Sequence, residues 1–171
     1  MARQMRTVQP SQRKHRKGRS AVIVVGVDDS EHSQTVLRFA IDEARLHDLP
    51  LRVICAWGLP TQKWAEIPPP EGSVGRPRHR AEEIVAEAAQ IAKRLAPNVQ
   101  CEPMALEGEA GSLLVQQSSD ATMVVVGRYG RGMVGKMFGA AADVAFGSVS
   151  QRVIRDARCP VIVVPLSSSD K

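Results

Sequence analysis

The chain has 171 residues, of which 43% are hydrophobic and 24% charged, the balance of one globular domain long enough to bury a core. Aromatic residues make up only 4%, which leaves no stacking platform for single-stranded nucleic acid, and no apolar run approaches the ~18 residues that cross a bilayer. The net charge of +5 belongs to one end: residues 1–20 hold seven of the 23 Lys and Arg and no acid, leaving 16 basic against 18 acidic side chains in the rest.

That N-terminal stretch is polar and without apolar periodicity, so a disordered basic tail is expected over residues 1–20. A weak contact with nucleic acid or an anionic surface is its functional reading, and a solvated leader is the favoured one. No apolar segment follows its positive charge as a secretory signal would require. Cys55, Cys101 and Cys159 are odd in number and far apart, and no C-x-x-C or H-x-x-x-H occurs. Neither a disulfide framework nor a metal site is suggested, and small buried thiols in a reducing cytoplasm are expected.

From Ala21 the chain alternates. Ala21–Val27 (AVIVVGV) is continuously apolar and β-branched, the pattern of a strand covered on both faces. Asp28-Asp29-Ser30 ends it, with Asp29 or Ser30 the expected cap of a helix over about Ser33–His47. Leu51–Trp57 is a second strand. A long loop, Gly58–Arg80, is rich in Pro and Gly. A helix over Ala81–Ala96 follows, then a weaker strand, Gln100–Leu106, which Pro103 places at a sheet edge. A short helix over Glu109–Gln117, a strand at Thr122–Val126, a helix at Ser148–Asp156 opened by a Ser148-x-x-Gln151 capping box, and a last strand, Val161–Pro165, complete the series. The predicted class is α/β: a doubly wound, five-stranded parallel sheet with helices on both faces, Rossmann-like, over residues 21–166, followed by a polar tail at 167–171. The first and fourth strands should flank the switch point, where open sheets bind ligands.

The segment after the fourth strand is punctuated by Gly127, Gly130, Gly132, Gly135, Gly139 and Gly147. Glycine lets a ligand approach the backbone, and a helix N-terminus beginning at Gly147-Ser148 offers unpaired N–H groups and partial positive charge to a phosphate. Arg128, Arg131 and Lys136 would add cations nearby. The pattern is neither a Walker A motif nor a G-x-G-x-x-G after the first strand. Tight turns and close helix–sheet packing alone would explain the same glycines.

The pieces IVVGVDDS, FAIDEARLHDLPLRVICAW and VVVGRYGRG…GSVSQRVIRDARCPVIVV resemble the universal stress protein family over about residues 21–166. The resemblance implies a five-stranded parallel sheet, a dimer through the last strand and, in the nucleotide-binding branch, ATP along the carboxyl edge. It would put Val27 and Asp28 at the end of the first strand, with Asp28 against adenosine, and the backbone near Ala56 facing adenine. Val126, Gly127 and Gly130 would lie along ribose and phosphates, and Gly147, Ser148 and Val149 would bind phosphate oxygens. The family spacing is shorter than here. Sixteen residues, Arg131–Phe146, separate Gly130 from Gly147, a surplus of about seven, near two helical turns. Gly139-Ala140 comes closer to the spacing but lacks the hydroxyl, so Gly147-Ser148 is the match. The surplus preserves the site only if it folds out of it.

Three functions follow as expectations: an ATP-binding stress regulator, a nucleotide-free interaction module of the same fold, or a weak ATPase in which Asp28 holds Mg²⁺. No catalytic base is evident near the loop, because His15, His32, His47 and His79 are scattered and read as surface residues. The short apolar last strand predicts a homodimer.

Overall fold

The computed structural model describes residues 21–58, 75–130 and 146–165. The basic tail at 1–20, the C-terminal tail at 167–171, most of the proline-rich loop, and residues 131–145 with Arg131 and Lys136 lie outside the described residues. The elements run β1 (Ile23–Gly26), α1 (His32–His47), β2 (Leu51–Trp57), α2 (Gly75–Leu95), β3 (Cys101–Glu107), α3 (Ala110–Gln117), β4 (Met123–Gly127), α4 (Ser148–Asp156) and β5 (Val161–Val164).

The strands form one parallel sheet in the order β3-β2-β1-β4-β5. Pro103 therefore lies in an edge strand, β5 forms the opposite edge, and β1 and β4 lie side by side at the point where the strand order reverses. Alternate side chains of β1 feed two cores. Ile23 and Val25 pack with Val36, Leu37 and Ile41 of α1 and with Val85 and Ala88 of α2. Val22 and Val24 pack with Leu114 of α3 and Val153 of α4 on the other face. Ile23, Val24 and Val25 are fully buried, each contributing about 1.5–3 kcal/mol of apolar transfer. Burial on both faces is why the strand reads as a continuous apolar run.

Several local expectations change. Helix α2 begins at Gly75, six residues before the predicted Ala81. Pro77 falls in its first turn, where a missing N–H breaks no helical bond. Neither Asp29 nor Ser30 caps α1. Glu31 occupies the N-cap without a side-chain bond, because Ser30 is engaged with Asp28 instead. Asp48 ends α1 in the left-handed conformation (φ 53°), its N–H bonded to Ala44 O, a role Asp tolerates. Of the thiols only Cys55 is buried; Cys101 and Cys159 are half-buried. Among the described residues no helix is long and apolar enough to cross a membrane.

Candidate functional site

The carboxyl ends of β1, β2 and β4 and the first turn of α4 enclose a cavity of about 270 Å³. All nine residues singled out from the sequence line it: Val27, Asp28, Ala56, Val126, Gly127, Gly130, Gly147, Ser148 and Val149. Its apolar wall is completed by Ile54, Val36 and Leu114.

One polar wall is the β1–α1 loop. Asp28 donates its N–H to Ser33 Oγ at 2.9 Å and accepts at Oδ1 from the N–H of Ser30 at 3.1 Å and its hydroxyl at 2.5 Å. This is an Asx-type turn, which aims the carboxylate by local bonds rather than by distant packing. The other oxygen, Oδ2, faces Gly130, where a Cβ would stand 2.8 Å from it. On the loop's outer side Arg80 of α2 grips Asp29, with its Nε 3.2 Å from Oδ2. Bonds to Asp29, then to Glu83, hold the exposed Arg80 guanidinium above its ordinary pKa.

The opposite wall is the start of α4. Gly147 is the N-cap, with no side-chain cap bond, so the expected Ser148 capping box does not form. Ser148 is one position too far into the helix, and Gln151 Nε2 donates to Phe146 O at 2.8 Å instead. Gly147 N–H is used by Arg128 O at 2.9 Å, whereas the N–H groups of Ser148, Val149 and Ser150 meet no carbonyl among the described residues. They carry the partial positive charge of the helix end. The cavity thus has a carboxylate on one side and helix-end donors on the other.

Two expectations change, for His32 and Arg128, and Tyr129 is new to the site. His32 is a buried cavity residue, only 3% exposed, not a surface one. Its Nε2 donates to Val164 O at 3.2 Å, since a carbonyl can only accept. Its position in the first turn of α1, on the face of Val36, was the available signal. Tyr129 is buried and also lines the cavity. Arg128 does not line it: the guanidinium lies 5.2 Å from the Tyr129 ring centre and 5.7 Å from that of Phe146. Among the described residues the lining therefore has no Lys or Arg.

Next to the cavity, Ala110 begins α3, which Glu109 caps by accepting from the N–H groups of Gly111 and Ser112 at 2.8 and 2.7 Å. Burial pushes the Glu109 carboxyl up, but bonds from Ser112 and Gly111 and the charge of Arg152 outweigh it and hold it below its ordinary value. No cluster of three or more metal-ligating side chains occurs among the described residues.

A cleft with apolar and polar walls at the switch point of a doubly wound parallel sheet defines a Rossmann-like α/β ligand-binding fold. The Universal stress protein family model matches residues 21–165, and the chain belongs to that family. A universal stress protein of Mycobacterium tuberculosis is 30% identical over 148 residues, covering 83% of this chain and 46% of its own length, so the chain spans about half of that relative. The universal stress protein of Archaeoglobus fulgidus, solved in complex with dAMP, is 28% identical with a TM-score of 0.58 and covers 84% of this chain and 96% of its own. A universal stress protein solved in complex with cAMP superposes with a TM-score of 0.61 at 24% identity, covering 86% of this chain and 98% of its own.

Proposed function

We propose that this chain binds an adenine nucleotide in the switch-point cavity and acts as a nucleotide-responsive stress regulator rather than a catalyst. The carrying observation is that one cavity is lined both by the locally aimed Asp28 carboxylate and by the first turn of α4, whose leading N–H groups meet no carbonyl among the described residues. A carboxylate suits ribose or base donors, and the helix end suits phosphate. The relative solved with dAMP supports the adenine class. ATP is the nucleotide we assign, with Mg²⁺ carried on its phosphates. Residence in the cytoplasm and a homodimer through β5, a sheet edge, belong to the same proposal.

A thermal-shift titration with ATP, ADP and AMP tests it. A ligand bound only by the folded state at 100 times its Kd raises stability by about 2.7 kcal/mol, or about 5–10 °C for a chain of this size. No shift with any of them at millimolar concentration rejects nucleotide binding and leaves the nucleotide-free interaction module. Sedimentation showing only monomer at micromolar protein rejects the dimer.

A further inference from the structure

Ser150 is 1% exposed, yet it is polar and belongs to no cap expected from the sequence. Its hydroxyl reaches two carbonyls, Gly147 O at 2.9 Å and Arg128 O at 3.0 Å. The second bond joins the first turn of α4 to the end of β4, across the 131–145 stretch. Arg128 O also accepts the Gly147 N–H, so donors from the N-cap and the first turn of α4 converge on the carbonyl of the residue that follows β4. The N–H groups of Ser148, Val149 and Ser150 are thereby held at a set distance from Gly127 and Gly130.

We infer that Ser150 is a positioning residue that sets the phosphate-binding end of the cavity. The inference rests on the nucleotide-binding reading above. Helix-end donors act on an anion only within about one turn, so small displacements of α4 weaken phosphate contacts and leave the apolar base and ribose end unchanged. Removing the hydroxyl is structurally mild, because Arg128 O keeps the Gly147 N–H and Gly147 O keeps the Gln151 N–H at 2.9 Å. Neither carbonyl is left unsatisfied, which is the costly outcome of deleting a buried partner.

The test compares wild type, Ser150→Ala and the neighbouring control Gln151→Ala by calorimetric titration with AMP and with adenosine. For Ser150→Ala, AMP affinity should fall about tenfold, the effect of one lost hydrogen bond, while adenosine affinity stays within about twofold; Gln151→Ala should change neither. Equal losses for both ligands, or no loss for AMP, overturn the inference. Amide exchange on the unliganded proteins gives a ligand-independent reading. Faster exchange of the Gly147 amide in Ser150→Ala supports the tether, and unchanged exchange overturns it. Wild type that binds neither ligand rejects the nucleotide reading, and the Gly147 amide then decides the tether alone.

Discussion

Gly147 donates its N–H to the carbonyl of Arg128 at 2.9 Å. A Cβ on Gly147 would lie 3.7 Å from the Gly130 nitrogen. The sixteen residues between Gly130 and Gly147 therefore leave and return at one place, and the surplus in spacing does not part the two ends of the glycine motif. Arg128 reinforces the junction, its guanidinium facing both the Tyr129 and the Phe146 ring.

The glycines at the two ends of this motif should respond differently to alanine. At Gly127 a Cβ would meet His32 Cδ2 at 3.1 Å and Val36 Cγ2 and Tyr129 O at 3.2 Å. Gly127→Ala should cost about 1–3 kcal/mol by overpacking, measured by denaturant unfolding. At Gly147 the nearest atom would be Arg128 O at 3.4 Å, an ordinary contact, and φ is −64°. Gly147→Ala should cost under about 1 kcal/mol but lower nucleotide affinity markedly, because the added methyl stands where a phosphate would approach. Unchanged affinity would show that no ligand comes close to this backbone.

Gly130 is matched to Asp28. With Oδ1 held by Ser30, an alanine methyl 2.8 Å from Oδ2 must turn the carboxylate. Gly130→Ala should lower nucleotide affinity to nearly the level of Asp28→Ala, and the double variant should lose little more, since both act on one group. Additive losses in titration calorimetry would separate the two residues.

Acid sensitivity should have one contribution from Glu109. Its folded pKa lies below the ordinary carboxyl value. The stability it adds is therefore fully present above the unfolded value of about 4.3 and is lost as pH falls through the folded one. Glu109→Gln should be less stable than wild type at neutral pH by about 0.5–2 kcal/mol, the range for a lost N-cap, and the gap should narrow at acid pH below the ordinary carboxyl value. Urea unfolding at the two pH values checks this; a constant gap would show that the charge of Glu109 is immaterial.

Element order and chain direction were legible along the chain because they depend on local pattern. A strand buried on both faces, such as β1, has no polar alternation, and an amphipathic helix such as α1 has its apolar residues at helical spacing. That the nine residues named from the sequence would line one cavity was legible for a related reason: they sit at strand ends and a helix start, which a parallel sheet brings to one edge. Contacts across the fold were not. Ser30 turned from α1 to Asp28, Ser148 fell one residue inside its helix, and His32 was buried by the return of β5 beneath it. Ser150, Arg128 and Tyr129 acquired their places only when α4 met the end of β4. Sequence periodicity specifies which face of an element is apolar. Which carbonyl a buried hydroxyl reaches, and whether a long insertion opens or spares the site, are set by separations between elements, and these exist only in the folded chain.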